Sequence, residues 1–241
     1  MALSFIITRP GQEGLDLVKL LQEIHKEAEH LPIYNLIKKK LHHKLIINPD
    51  DEMFFFSKTS VSATLYNWPK IFFKYAKNRC WAIGPATAGS LEKAGAKNIM
   101  VPKSGPYNSE KLVSLLRSTK IKNTSRFMLF QQPEGVEMVV DYLKSIDAYV
   151  ETHGVYEQER IVYSDNELDS CSVYTAVVVT SGQALMGLLE QQKYFNKKML
   201  FVVGERLYKM AIDARVFHKV IALPEASNTK ILKFIENYKD V

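Results

Sequence analysis

The chain is 241 residues long, 46% apolar and 24% charged, with a net charge of +6 and a pI near 9.1. That balance is ordinary for a soluble globular protein of one large or two small domains, and the mild positive charge favours acidic ligands without demanding nucleic acid. No apolar run approaches the ~18–20 residues that span a bilayer, and "MALSFIITRP" lacks a basic segment and meets Arg9 and Pro10 too early for a signal peptide. A soluble, cytoplasmic protein without membrane contact is expected.

In chain order, the first apolar run is "FIIT" at 5–8, followed by "MFFF" at 53–56, "WAI" at 81–83 and "FMLF" at 127–130. "AVVV" at 176–179, "LFVV" at 200–203 and "VIAL" at 220–223 complete the series. Short unbroken runs of this kind predict strands buried on both faces, as in a parallel sheet covered by helices. Between them, Val61, Leu65 and Trp68 keep helical spacing, as do Ile231, Phe234, Ile235 and Tyr238. Ser109 and Glu110 ahead of Leu112, Leu115 and Leu116 predict a capped helix start with an acidic first turn. Asp50, Asp51 and Glu52 read as a loop. The alternation of strands and helices predicts an α/β protein. Cys80 and Cys171 lie in apolar strand-like contexts and are expected to be buried free thiols of a reducing compartment.

The chain also echoes itself. "FFFSKTSVSATL" resembles "VVVTSGQALMGLL", with Ser57 matching Ser181. "WAIGPATAGSLEKAG" parallels "LFVVGERLYKMAIDA", with Gly84 matching Gly204, and "HLPIYNLIKK" parallels "HGVYEQERIV", with Tyr34 matching Tyr156. "FIITRPGQEGLDLVKLL" is loosely like "FMLFQQPEGVEMVVDYL". The matches keep their order and a near-constant separation, the signature of two copies of one α/β unit. Tyrosine-bearing segments after residues 34 and 156 are expected to cross from one lobe to the other. One lobe then comprises 1–36 and 157–241, and the other is the insert 37–156. The two crossing strands would form a two-stranded β-ladder hinge that permits relative motion. Ligands bind at the carboxyl ends of parallel strands. Those ends carry Thr8-Arg9, Ser57–Ser60, Gly84–Thr87, Thr180–Gln183 and Gly204–Arg206, so the site is expected in the interlobe cleft.

Each serine-rich turn ends an apolar strand and opens a helix. Ser57, Thr59 and Ser60 form the first turn, and Thr180, Ser181 and Gln183 the second. Such turns either cap the helix or present backbone N–H groups to an anion. Gly84, Pro85, Ala86 and Thr87 open a further helix, yet the stretch matches neither G-x-G-x-x-G nor the phosphate loop with its lysine. The residues of this stretch fit an anion but leave open which one it holds. The six histidines show no metal-ligand spacing, and no aromatic–basic interleaving points to nucleic acid. Lys38–Lys40 with His42, His43 and Lys44 reads as a solvated face that could steer an acidic ligand.

"ITRP" (7–10), "FFFSKTSV" (54–61), "VVVTSGQAL" (177–185) and "AIGPATAGSLEKAG" (82–95) occur here in one order. With "VPKSGPYNSEKLVSLL" (101–116), which holds Ser109, Glu110 and Leu112, and "GVYEQER" (154–160), the chain resembles the uroporphyrinogen-III synthase family over essentially its whole length. The resemblance implies two α/β lobes joined by a two-stranded ladder. It also implies cyclisation of linear hydroxymethylbilane to uroporphyrinogen III with inversion of ring D and loss of water, without metal or organic cofactor. A monomer, with transient hand-over from hydroxymethylbilane synthase, is the expected form.

Carried over by residue, Ser57, Thr59 and Ser60 become the first carboxylate-binding turn, Pro85, Ala86 and Thr87 the opening loop, and Thr180, Ser181 and Gln183 the second turn. Arg9 becomes a carboxylate partner or a structural arginine. Tyr156 becomes the general acid or an interlobe packing aromatic. The chain departs from the family pattern at Phe56, where threonine is usual, at Thr59, where asparagine is usual, and at Leu207, where the second glycine loop usually carries threonine. The rival reading is a weak or non-enzymatic two-lobed binding protein for an acidic tetrapyrrole-like ligand.

Overall fold

A computed structural model describes residues 3–75, 77–105, 107–121, 126–133, 135 and 137–238. Met1, Ala2, Pro106, Glu134 and Val136, which fall in stretches singled out above, lie outside the described residues. The first half of the chain forms β1 (Phe5–Ile7), α1 (Gly11–Glu23), β2 (Ala28–His30), β3 (Tyr34–Lys38), β4 (Glu52–Phe55) and α2 (Lys58–Asn67). It continues with α3 (Ile71–Lys74), β5 (Arg79–Ala82), α4 (Pro85–Lys93), β6 (Asn98–Met100) and α5 (Ser109–Ser118). The second half opens on β7 (Arg126–Gln131), α6 (Glu137–Ser145), β8 (Tyr149–Gly154), β9 (Tyr156–Arg160), α7 (Asp165–Ser170) and a 3-10 turn (Cys171–Val173). There follow β10 (Ala176–Val179), α8 (Gly182–Glu190), α9 (Gln192–Phe195), β11 (Met199–Val203), α10 (Gly204–Ala214), β12 (Lys219–Leu223) and α11 (Asn228–Asn237).

The chain divides into two compact units, Met1–Asn35 with Glu159–Val241, and Leu36–Gln158. Each holds one five-stranded sheet, ordered β12-β11-β10-β1-β2 in the first unit and β6-β5-β4-β7-β8 in the second. Every pair within both sheets is parallel. The two orders correspond element for element: each sheet takes three consecutive strands on one side and two on the other. β3 and β9, where the chain changes unit, pair as a two-stranded sheet. The duplicated parallel α/β fold expected from the sequence is therefore the fold observed.

The central strands are apolar throughout because both faces are covered, so β1, β4 and β10 are buried at every position. Alternation along β4 sends Met53 and Phe55 to one core and Phe54 to the other. Phe55 stacks on Phe130 with centroids 5.0 Å apart, and Phe54 stacks on Trp81 at 5.3 Å. Burying each such ring contributes about 1.5–3 kcal/mol. In the first unit, Phe5, Ile7, Leu17, Val178, Phe201, Ile231 and Ile235 form the corresponding core. Cys80 and Cys171 are both buried and free; burial pushes the Cys80 thiol up to about 12.

Two local expectations are corrected. The α5 cap is Asn108, not Ser109: Asn108 is extended and its side chain accepts from the Lys111 amide at 3.0 Å, while Ser109 is already helical. Nor is the acidic triplet a loop throughout, since Glu52 begins β4, and both Asp51 and Glu52 are buried. Burial of these carboxylates is offset by bonds to charged and ring N–H donors. Glu52 accepts from Trp81 Nε1 at 2.5 Å and pairs with Arg79 at 3.2 Å, and Asp51 pairs with Arg126 at 2.6 Å. These ties anchor the amino-terminal end of β4, opposite the end that leads into Ser57.

Candidate active site

At the carboxyl end of β4, Ser57 has extended backbone and caps α2. Its Oγ accepts from the Ser60 amide at 3.0 Å, while Ser60 Oγ accepts from the Ser57 amide at 3.2 Å. This reciprocal box explains why serines recur three apart here. Ser60 is fully buried within it, and Thr59 is half-buried. Among the described residues nothing bonds the Thr59 amide, which therefore remains a helix-start donor.

The α8 turn at the end of β10 repeats the design more simply. Ser181 is extended and its Oγ accepts from the Ala184 amide at 3.2 Å. Thr180 is half-buried and Gln183 exposed. At Gly84, ahead of α4, no side chain caps the helix, and Pro85 at the first position has no N–H to satisfy. A glycine is required for space: a Cβ there would lie 2.9 Å from Tyr107 Cβ. Pro85 and Ala86 are exposed and Thr87 is buried. Gly204 opens α10 at φ +79, the left-handed region that glycine tolerates. Arg206, exposed in the first turn of α10, places Nη2 3.5 Å from where a Cβ on Gly182 would sit, against the amino terminus of α8.

Tyrosines of the two crossing strands meet the two capping serines. In the second unit the Tyr156 hydroxyl lies 3.5 Å from Ser57 Oγ, the outer limit of a hydrogen bond. In the first unit the Tyr34 hydroxyl lies 2.9 Å from Ser181 Oγ. Both tyrosines are 8% exposed. Burial raises the Tyr156 pKa above its ordinary value, and the bond from Ser57 offsets part of that rise. The phenol is thus protonated, a proton donor, at neutral pH.

Arg9 follows β1. Its Nη1 donates to the Ala226 carbonyl at 2.5 Å and to Asn228 Oδ1 at 3.0 Å, and Nη2 pairs with Glu13. Burial lowers its pKa, and nearby Tyr34 offsets part of this. Two residues beside these turns carry no site role in the sequence reading, Tyr34 and Tyr107. Tyr34 has a usable signal, its match to Tyr156 in the repeat, whereas Tyr107 comes from loop packing that no spacing reveals; Arg206 lies at a strand end where the sequence already places ligand contacts. Among the described residues no group of three or more His, Cys, Asp or Glu could hold a metal ion, and no helix is long and apolar enough to cross a membrane.

Taken together, the duplicated parallel sheets and hydroxyl-capped helix starts define a two-unit α/β protein whose strand ends are equipped with backbone and hydroxyl donors. The family model described as uroporphyrinogen-III synthase HemD matches residues 15–232. The chain is 26% identical to the uroporphyrinogen-III synthase of Escherichia coli K12 over 255 aligned positions, covering 97% of this chain and 100% of that protein. It is 28% identical to the Proteus mirabilis protein of the same name over 177 residues, 68% of this chain and 85% of the other. Among solved structures, uroporphyrinogen-III synthetase from Helicobacter pylori superposes with a TM-score of 0.65 at 14% identity, covering 96% of this chain and 98% of that one. A mutant uroporphyrinogen III synthase from the extremely thermophilic bacterium Thermus thermophilus gives a TM-score of 0.62 at 12% identity, with 98% of both chains covered. At such identities the structural likeness speaks for the fold, and the sequence matches speak for the family. The chain belongs to the uroporphyrinogen-III synthase family.

Proposed function

We propose that the chain closes hydroxymethylbilane to uroporphyrinogen III, inverting ring D and releasing water, with Tyr156 as the general acid. The observation that carries this reading is the Tyr156 hydroxyl, kept protonated by burial and held loosely at 3.5 Å against the capping Ser57. The phenol proton passes to the terminal hydroxyl as its C–O bond breaks, aided by electrons from the pyrrole nitrogen. The exocyclic carbon so exposed bonds to the substituted carbon of ring D, giving a spiro intermediate. Fragmentation and reclosure through the other α-carbon of ring D invert that ring. The proton lost from that carbon at the last closure returns to the phenolate, so the balance is one water released. General-acid help of this kind contributes about 10²–10⁴-fold, and the remainder is positioning of two reacting carbons.

The substrate's eight carboxylates suit backbone and hydroxyl donors of the kind these turns present. Thr59 serves the first turn, where Ser57 caps α2 and holds Tyr156; Pro85 and Ala86 shape the opening loop, and Thr180, Ser181 and Gln183 serve the second. Ser60 and Thr87, buried, hold their turns rather than touch substrate. Arg9 and Arg206 supply positive field at the first unit's strand ends. In this reading residues 1–36 with 157–241 and residues 37–156 act as the two domains of a cytoplasmic monomer that receives the bilane from hydroxymethylbilane synthase.

The test is a coupled assay. Porphobilinogen and hydroxymethylbilane synthase are incubated with and without this chain, and the oxidised porphyrin isomers are separated. Isomer III is expected to dominate when the chain is present. Isomer I dominating in both reactions overturns the activity, and tight uroporphyrin III binding without turnover identifies a binding protein instead.

A further inference from the structure

We infer that Tyr34 is a positioning residue for substrate binding: its hydroxyl donates to Ser181 Oγ, so that the serine's own proton is left to bond a substrate carboxylate. The inference rests on the proposed reaction and adds a role to its second turn. A serine hydroxyl has one proton and two acceptor lone pairs. One lone pair takes the Ala184 amide at 3.2 Å, and the Tyr34 hydroxyl stands at 2.9 Å. A phenol is the stronger proton donor of the two hydroxyls. With both lone pairs occupied by donors, Ser181 can act outward only as a donor itself. An anion is then its complementary partner.

The duplicated pair in the other unit runs in the opposite sense. There Ser57 accepts from the Ser60 amide and donates toward Tyr156, across 3.5 Å. The proton left over belongs to the phenol. One inherited tyrosine–serine contact thus occurs in two polarities: a phenol proton offered to a leaving group in one unit, and a serine proton offered to a carboxylate in the other. Gly182 adds room for that carboxylate, since the atoms nearest a Cβ built there are Arg206 Nη2 at 3.5 Å and Leu207 Cδ2 at 3.9 Å.

The experiment measures KM and kcat for Tyr34→Phe, Ser181→Ala, Ser181→Thr and the double variant Tyr34→Phe/Ser181→Ala in the coupled assay. Thermal melting of each variant is followed alongside. Tyr34→Phe should raise KM about tenfold, the worth of one misdirected bond to a charged group, with kcat within about twofold. The double variant should match Ser181→Ala, because Tyr34 acts through Ser181. Ser181→Thr, which keeps cap and hydroxyl, should retain the native KM. A Tyr34→Phe enzyme with unchanged KM, additive effects in the double variant, or a native KM in Ser181→Ala each overturns the assignment. If Tyr34→Phe does not fold, the two Ser181 variants still decide it. Should the wild-type chain yield no isomer III, the reaction assignment falls. The dissociation constant for uroporphyrin III then tests the Tyr34 role by itself, with the same tenfold weakening expected and an unchanged constant overturning it.

Discussion

The two units share strand order, parallel pairing and the placing of a crossing-strand tyrosine against a capping serine. They differ in the details that chemistry uses. The α2 turn is closed by a reciprocal serine box and leaves its tyrosine at 3.5 Å, whereas the α8 turn has a single cap bond and grips its tyrosine at 2.9 Å. Duplication copies the backbone position of a donor but not its polarity. What a duplicated hydroxyl offers depends on which lone pairs its neighbours already occupy.

The strongest consequence falls on Tyr156. Tyr156→Phe should lower kcat in the coupled assay by about 10²-fold, the low end for a lost general acid, with KM little changed. The mirror-image result, a raised KM at native kcat, would exchange the roles given to the two tyrosines. Unchanged turnover would remove Tyr156 as the acid.

The next effect concerns stability. Gly14, in α1, and Gly135, ahead of α6, occupy related places in the two halves. A Cβ on Gly14 would lie 2.0 Å from the Arg9 carbonyl oxygen, an immovable backbone atom, and 2.4 Å from His30 Nε2. On Gly135 it would lie 2.0 Å from Gln131 Cδ, near the end of a side chain rather than on backbone. Gly14→Ala should therefore cost about 3 kcal/mol and Gly135→Ala about 1 kcal/mol or less, read as denaturant midpoints at constant slope. Equal costs would mean that the backbone of α1 yields as readily as a glutamine.

The smallest effect is alkaline. Burial pushes Tyr163, which donates to the Pro32 carbonyl at 2.8 Å, up to about 12, and raises Tyr156 as well. An unfolded tyrosine ionises near 10, so the unfolded state releases its proton first. The stability from these phenols is full below pH 10 and is lost as the pH climbs toward 12. Melting temperature against pH should show this loss, and Tyr163→Phe should lessen the slope in that window. An identical slope in the variant would assign the alkaline loss to other groups.

Much of this was legible beforehand because burial writes itself into composition. Strands covered on both faces must be apolar at every position, so the central strands stood out as runs such as "AVVV" and "MFFF". The edge strands β2 and β6, reading "AEH" and "NIM", did not, since a short, partly solvated strand needs no apolar run. The serine turns were legible as turns, but their spacing could not separate Ser60, sunk in a capping box, from Thr59 beside it. Asn108 outcompeted Ser109 as a cap because the last extended residue before a helix, whichever it is, faces the unsatisfied amides.

The alternating class, the duplication, the crossing tyrosines and the strand ends that carry donors all follow from local pattern and order in the chain. Folding was needed to bring Tyr34 to Ser181 and Tyr156 to Ser57, to close Tyr107 on Gly84 and to set Arg206 against Gly182. These are contacts between residues apart in the chain, set by how strands stack side by side. Hydrogen-bond polarity is likewise a property of a neighbourhood, because a hydroxyl can donate or accept until its surroundings choose.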